Sequence, residues 1–272
     1  MTVLLKIILI TLVVLAALYV LSIQGRTGHP GLEALKGWKY AHRGLHDEQL
    51  PENSMGAFRA ALEHSYGIEL DIHLMKDGKL AVIHDTSLKR TAGVDVNITD
   101  LTAADLPNYP LNDQGELIPT FDQVLELFAG KAPLIIELKE DGNSRALVDT
   151  AVRAMKGYKG PYCMESFHPK CVYELKKRHP KVIRGQLNMD YFKEKDSPLP
   201  KAVKWLITNQ AMNFLTKPDF IAYRFSDRKA FSNLLTMKFW GLQGVTWTLK
   251  SQEDLDKAVA EGWLPIFEGF KP

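Results

Sequence analysis

Apolar residues along the chain follow two rhythms. The first is an unbroken run. Ile7 to Ile23, IILITLVVLAALYVLSI, is 17 residues without a charge, and Val3 to Leu5 extend it past Lys6. A membrane-spanning helix needs about 20 apolar residues, so residues 1–24 are predicted to form one transmembrane helix. The second rhythm begins after a glycine- and proline-bearing stretch, residues 25–37, read as a linker. From there, short strand-like segments alternate with stripes of helical period. The strands are Lys39–His42, Ile68–Ile72, Leu134–Leu138, Tyr162–Glu165, Val182–Gln186, Phe220–Tyr223, Val245–Thr248 and Leu264–Phe267. Between them, Leu147, Val148, Ala151, Val152 and Met155 make an apolar helical stripe. Thr120 with Gln123, and Ser251 with Asp254, read as capping boxes. Asn53 reads as the N-cap of a helix carrying Met55, Phe58, Ala61 and Leu62.

A ninth apolar segment, Leu80–Ile83, is separated from its predecessor by only a turn, Lys76-Asp77-Gly78. Parallel neighbours need a crossover of about a dozen residues or more. This segment therefore returns antiparallel, as the second arm of a hairpin. The other eight strand–helix units, in residues 38–272, match a (β/α)8 TIM barrel, with a doubly wound sheet as the alternative. Residues 86–119 stand out as an insertion after the hairpin. They hold one short helical pattern in NITDLTAADL and are expected to border the active site. Leu88, Val94, Val96, Ile98, Leu101, Tyr109 and Leu111 give this insertion two readings. They pack it against the barrel, or they stay exposed and grip lipid.

Composition narrows the class. Hydrophobic residues are 46% and charged residues 24%, as in ordinary globular proteins, and a net charge of +2 gives no argument for nucleic acid. The cluster Lys176-Lys177-Arg178 reads as a solvated helix end. Cys163 and Cys171 have no metal spacing, and two cysteines seldom make a disulfide framework. The N-terminal run competes with a cleaved signal peptide, but LSIQGRTG lacks an Ala-x-Ala site. An uncleaved anchor is favoured. Arg26, Lys36 and Lys39 after the span would by charge count place the barrel in the cytoplasm. Short N-terminal anchors often leave the domain outside, so the expectation is extracytoplasmic, with the side open.

The chemistry lies in IELDIHLMKDGKLAVIHD, Ile68 to Asp85. Glu69 and Asp71 share one face of their strand and, in a barrel, point to the axis near the C-terminal mouth. In PLIIELKE, Glu137 lies inward at another strand's end. Buried, unpaired carboxylates are costly. One remedy is a hard divalent cation with oxygen ligands, Mg²⁺ or Ca²⁺ rather than zinc. The other is neutralisation by Arg and Lys. The hairpin brings His84 level with Asp71, and the first strand ends in His42-Arg43-Gly44. Two imidazoles provide an acid and a base that titrate near neutrality. Arg43 offers a planar fork to a phosphate and Lys139 a point charge. Together these groups suit phosphodiester cleavage.

Here the motifs AHRGLHDEQLPENSMGAF, GIELDIHLMKDGKLAVIHDTSLKRTAG, IIELK, ESF and VTWTL strongly resemble the glycerophosphodiester phosphodiesterase family, from about Trp38 to Gly262. The resemblance implies a (β/α)8 barrel with a small insertion and a divalent cation at Glu69, Asp71 and Glu137. It also implies His42 and His84 as general acid and base, with Arg43 and Lys139 on phosphate. Glu52 of the PEN motif would orient Arg43 or approach the metal, or else serve only as a favourable helix-start charge. Trp247 would line the wall facing the substrate's alcohol, or simply pack the barrel. The expected substrate is a glycerophosphodiester or a lysophospholipid. A lysophospholipase D, a phosphatidylinositol phospholipase C type enzyme and a non-catalytic headgroup-binding barrel are the alternatives. Ser54 departs from the family's usual Thr, Leu249-Lys250 from Val-Asn, and LPIFEGF from a strand like DGIITD. His46, His64, His168 and His179 read as surface or helix-end residues. His73 shares a face with Glu69 and Asp71 but lies nearer the turn.

Overall fold

The computed structural model of the protein describes residues 2–113, 115–195 and 197–272. It opens with the apolar helix α1 (Val3–Ser22), whose residues are all unburied, and β1 (Tyr40–His42) begins the barrel. There follow α2 (Met55–Glu63), β2 (Gly67–Leu74), β3 (Leu80–Val82), α3 (Lys89–Ala92), α4 (Phe121–Phe128), β4 (Leu134–Leu138), α5 (Ser144–Ala154) and β5 (Tyr162–Ser166). The rest comprises α6 (Pro169–Arg178), β6 (Arg184–Asn188), α7 (Lys201–Thr208), α8 (Asn213–Thr216), β7 (Phe220–Arg224), α9 (Phe231–Leu234), β8 (Gln243–Leu249), α10 (Gln252–Ala260) and β9 (Trp263–Phe267).

The strand order is β1-β9-β8-β7-β6-β5-β4-β2, and β1 pairs again with β2, closing eight parallel strands into a barrel. β3 lies outside the closure, antiparallel on β2, with Ile72 opposite Val82. The expected hairpin and the (β/α)8 architecture are both present. β6 starts two residues later than the sequence pattern implies. Val182 and Ile183 are buried ahead of the strand, and the ladder begins where Met164 faces Arg184.

Strand alternation divides the interior into two cores. Ile68, Leu70, Ile72, Ile136 and Leu138 face outward under the helices, packed with Phe58, Val124, Phe128 and Leu147. Tyr40, Ile135, Cys163, Leu187, Ala222, Val245 and Ile266 fill the barrel itself. Cys171 belongs to the outer layer, so it and Cys163 sit in different cores and both are free thiols. Residues 25–37, read as a linker, are packed. Arg26 forks onto Asp219 just ahead of β7, and a 3-10 turn, Pro30–Leu35, buries Leu32 and Leu35 in the barrel's own core.

The insertion has its own small core. Leu88, Ile98, Leu101 and Leu106 are buried against Met75, Ala81 and Ile83, with Val94, Val96, Tyr109 and Leu111 partly buried on them. The packing reading of these side chains therefore replaces the lipid-gripping one. Apart from Leu117 in the insertion, the exposed large apolar side chains after α1 lie elsewhere, mainly on α7, α8 and α9 and the turn after α9.

Candidate active site

The barrel's registers bring the polar residues into one layer. His42 lies opposite Glu69, Asp71 opposite Glu137, and Glu137 opposite Glu165. His42, Glu137 and Glu165 each follow an inward core residue two positions back (Tyr40, Ile135 and Cys163), and Glu69 and Asp71 share that inward phase on β2, so the strand period carries them toward the mouth. Glu69, Asp71 and Glu137 are buried, and one carboxylate oxygen from each lies within 4.8 Å of the others.

Two cations reach this cluster. Lys139 Nζ is 3.1 Å from Asp71 Oδ1 and 2.9 Å from Glu137 Oε1. Arg43 Nε is 3.3 Å from Asp71 Oδ2, while Arg43 NH1 donates to Glu52 Oε1 at 3.0 Å. Arg43 adopts a left-handed φ of 54°, and its backbone N–H donates to Glu69 Oε2 at 3.2 Å. The next residue, Gly44, has φ 82°, and a Cβ there would meet Phe58 at 2.9 Å; only glycine fits this turn. Glu52 stays on the cationic side. It also accepts from Arg90 of the insertion at 2.7 and 3.0 Å, which ties Arg43 to the insertion, and it does not join the carboxylate group.

The charge balance favours a further cation. Four buried carboxyls, Glu69, Asp71, Glu137 and Glu165, face two cations, Arg43 and Lys139. Burial, together with Asp71 and Glu137, pushes Glu69 well above the usual carboxylate range. Burial also pushes Glu137 up to about 7, against the pull of Lys139. Asp71 is pulled the other way: burial is outweighed by Lys139 and Arg43, which hold it below its ordinary value. An all-oxygen donor set short of positive charge fits a hard divalent cation.

The histidines resemble one another in their support. His42 Nδ1 is 2.9 Å from Glu268 Oε2, and His84 Nδ1 is 2.6 Å from Asp85 Oδ1. A carboxylate at one ring nitrogen fixes the ring and leaves Nε2 for chemistry. Burial, aided by Lys139 and Arg43, lowers the His84 pKa against the pull of Asp71. His73 is buried, bonded to Asp141 Oδ2 at 2.6 Å and through Nε2 to the His84 carbonyl at 3.0 Å. It braces His84 and stands apart from the carboxylate group. Trp247 packs edge-on to Phe167 with ring centroids 5.5 Å apart. Both line a pocket of about 190 Å³ together with His42, Arg43, Glu69, His84, Glu137 and Glu165.

Three residues of the site had no assigned place in the sequence reading. Asn53, expected to cap α2, donates instead to Asp71 Oδ2 at 2.9 Å, and Ser54 caps the helix by accepting from Ala57 N. Asn53 has φ 55°, a left-handed turn that aims its amide inward. Glu165 of the ESF motif is buried with Oε2 unpartnered, and burial with the neighbouring Glu137 pushes it well above the carboxylate range. Its inward phase after Cys163 was the available signal. Glu268 directly follows β9, and its bond to His42 takes its pKa down to about 2. The signal there was an acid at the first position past the last strand. His64, His168 and His179 lie at helix ends as expected, whereas His46 sits at the mouth, 3.9 Å from Glu268.

Residues 42–267 match the glycerophosphoryl diester phosphodiesterase family. The chain is 33% identical over 158 residues to a glycerophosphodiester phosphodiesterase of Caldanaerobacter subterraneus subsp. tengcongensis, covering 54% of this chain and 65% of that protein. It is 34% identical over 132 residues to the lysophospholipase D GDPD1 of Mus musculus, covering 44% of this chain and 41% of that one. In fold it is similar to an Oleispira antarctica phosphodiesterase solved with the product sn-glycerol-3-phosphate. That likeness has TM-score 0.73 and 21% identity, covering 89% of this chain and 95% of the other. A glycerophosphodiester phosphodiesterase from Thermotoga maritima has TM-score 0.65 and 24% identity, covering 85% and 93%. With a family match over most of its length and the family's barrel around the motif residues, the chain belongs to the glycerophosphoryl diester phosphodiesterase family.

Proposed function

We propose that the protein hydrolyses a glycerophosphodiester to an alcohol and glycerol phosphate. The observation that carries this reading is a buried tri-carboxylate group braced by two cations, beside a pocket lined by Arg43, Glu69, Glu137 and two carboxylate-oriented histidines. Glu69, Asp71 and Glu137 would hold a divalent cation, Mg²⁺ or Ca²⁺, which when bound supplies charge stabilisation to the phosphoryl oxygens. Arg43 and Lys139 add hydrogen-bond donors to those oxygens, and their positions are fixed beforehand by Glu52, Asp71 and Glu137.

Proton traffic is divided between the histidines. His84, whose pKa burial and the nearby cations lower, takes the proton of the attacking oxygen. His42, backed by Glu268, gives a proton to the leaving alkoxide. The net change adds water across one P–O ester bond: a new P–O bond forms, the bond to the alcohol breaks, and the alcohol leaves protonated. Glu165, Phe167 and Trp247 close the pocket around the reacting phosphate. Residues 1–24 anchor the protein in a membrane, residues 25–37 connect anchor and barrel, and residues 38–272 form the catalytic domain. The length and mean hydropathy (2.8) of α1 support that anchor.

The test is glycerol phosphate release from glycerophosphocholine by full-length protein, in wild type and in His42→Ala. Release by wild type and its loss in the variant support the reading. No release from any glycerophosphodiester overturns it.

A further inference from the structure

One histidine at the mouth has no part in the chemistry above. His46 lies four residues after His42, in the loop from β1 to α2. The loop is held on both sides of it: Leu45 N donates to the Ala57 carbonyl and Asp47 N to the Leu50 carbonyl, each at 3.0 Å. His46 Nε2 is buried and has no hydrogen-bond partner. A buried polar atom in that state is costly, and a bound ion is one thing that relieves it.

The group facing His46 is Glu268. His46 Nε2 is 3.9 Å from Glu268 Oε1, too far for a hydrogen bond, while Glu268 Oε2 meets His42 Nδ1 at 2.9 Å. The carboxylate thus lies between two imidazoles, with one oxygen toward each. Barrel closure puts it there. Ala41 of β1 pairs with Phe267 of β9, so His42 and Glu268 are the next residues along two adjoining strands. One ligand atom from each of His42, His46 and Glu268 lies within 4.8 Å of the other two. Zinc bonds to nitrogen and oxygen of about 2.0–2.2 Å place the donors of a tetrahedral site about 3.3–3.6 Å apart. The separations of 2.9 and 3.9 Å lie on either side of that range, and a small turn of the carboxylate evens them.

This donor set differs in kind from Glu69, Asp71 and Glu137. Three carboxylates suit Mg²⁺ or Ca²⁺, whereas two imidazoles with one carboxylate suit zinc and its transition-metal neighbours. Metal ligands must also be unprotonated. Burial lowers the His46 pKa against the pull of Glu268, which favours the neutral ring. The bond to His42 takes Glu268 down to about 2, which favours the carboxylate. The side chains of His42, His46 and Glu268 are 15%, 19% and 26% exposed, so an ion can arrive from solvent and keep water as a fourth ligand.

We propose that His42, His46 and Glu268 form a second metal site, selective for a transition metal such as Zn²⁺, and that filling it switches the enzyme off. The inference rests on the phosphodiesterase reading above, in which His42 protonates the leaving alkoxide. A metal held by His42 Nδ1 displaces the hydrogen bond to Glu268 and takes the place of the Nδ1 proton. The ring then cannot become the imidazolium that Glu268 supports. Its Nε2–H would have to leave an imidazolate behind, which makes it a much poorer acid. Glu69, Asp71 and Glu137 keep their own cation, so one class of metal serves the reaction and another stops it.

His46→Ala decides the matter, because His46 has no place in the catalytic machinery. The first measurement needs no turnover. With Mg²⁺ and Ca²⁺ both in excess, Co²⁺ added to full-length wild type should give the visible absorption bands of a four-coordinate site, and Zn²⁺ should abolish them by displacement. The variant should give none. Absence of the bands in wild type, or equal bands in both proteins, overturns the site. The second measurement follows release of glycerol phosphate from glycerophosphocholine as Zn²⁺ is raised, with the hard cation again in excess. Without zinc the two proteins should turn over equally; a variant already slow would place His46 in the reaction itself and overturn the proposal. Loss of even an outer-shell partner costs about 10- to 100-fold in metal affinity, so the variant should need about 10-fold or more zinc for half-inhibition. Equal sensitivity would mean that zinc acts at the three carboxylates, and overturns the switch. If neither protein cleaves the diester, the phosphodiesterase reading fails while the Co²⁺ spectra still decide the site.

Discussion

Over β1–β5 the barrel mouth consists of charge held by charge, whereas the face of α7 that lines the neighbouring cavity is apolar and partly exposed. On the first side every reactive group is braced. Asp71 is bonded to Asn53 and flanked by Lys139 and Arg43, and His42 and His84 each lean on a carboxylate. On the second side Val203 and Leu206 make no polar contacts and remain more than a third exposed. The braced side has the parts that a phosphodiester requires whatever its alcohol. A barrel can keep its chemistry and change its substrate by rebuilding a single helix.

Breaking the braced side should have the largest effects. His42→Ala and His84→Ala are each expected to lower kcat by about 10² to 10⁴. The double variant should be little worse than the worse single one, because the two act as a unit. A general base works only when neutral, so the downward shift of His84 extends activity to lower pH. The acidic limb of the pH–rate profile should therefore vanish in His84→Ala and persist in His42→Ala. Equal rates in wild type and either single variant contradict the assigned roles.

Glu268→Gln keeps the shape but removes the charge behind His42. It should lower kcat by about 10- to 100-fold with little change in KM, the usual worth of a residue that orients a reacting imidazole. Circular dichroism should show an intact fold. A loss confined to KM would place Glu268 in substrate contact instead.

The insertion sharpens the comparison, because its apolar residues are of the packed kind. Leu88 is fully buried, so Leu88→Ser should cost about 2–4 kcal/mol of stability through a cavity and a stranded hydroxyl. Thermal melting reads that loss. The preference between acylated and soluble substrate should stay the same. A stable variant with altered preference would return the insertion to the lipid-gripping role.

The smallest effect is expected at Arg90. It is half exposed and ties the insertion to Glu52 and Asp85. Exposed ion pairs contribute about 0–1 kcal/mol, so Arg90→Ala should lower Tm by only a few degrees. A larger loss of kcat would mean that Glu52 needs both arginines to hold Arg43 in place.

Much of the braced side was legible in the sequence, because strand alternation places residues by parity. Glu69, Asp71 and Glu137 had to share the barrel interior once their strands were recognised, and the hairpin length carried His84 to Asp71, whose carbonyl accepts from Ile83 N at 3.1 Å. Parity also pointed to Glu165, but a single acid between Met164 and Ser166 gave no separate reason to notice it. Glu268 and Asn53 were harder. Their roles depend on chain closure between β9 and β1 and on one left-handed residue, and neither has a periodic signature. The apolar side was the least legible. Val203, Leu206 and Ile207 have the spacing of any amphipathic helix, and only the fold reveals that they face a cavity at the mouth.

The most direct test follows glycerol phosphate by phosphorus NMR as full-length protein acts on a glycerophosphodiester, first in chelator and then with Mg²⁺ or Ca²⁺ restored. If Glu69, Asp71 and Glu137 form a cation site serving the two histidines, release stops in chelator, resumes with the cation, and needs far more cation in Glu137→Gln. Undiminished release in chelator, with metal analysis finding none bound, would contradict the account.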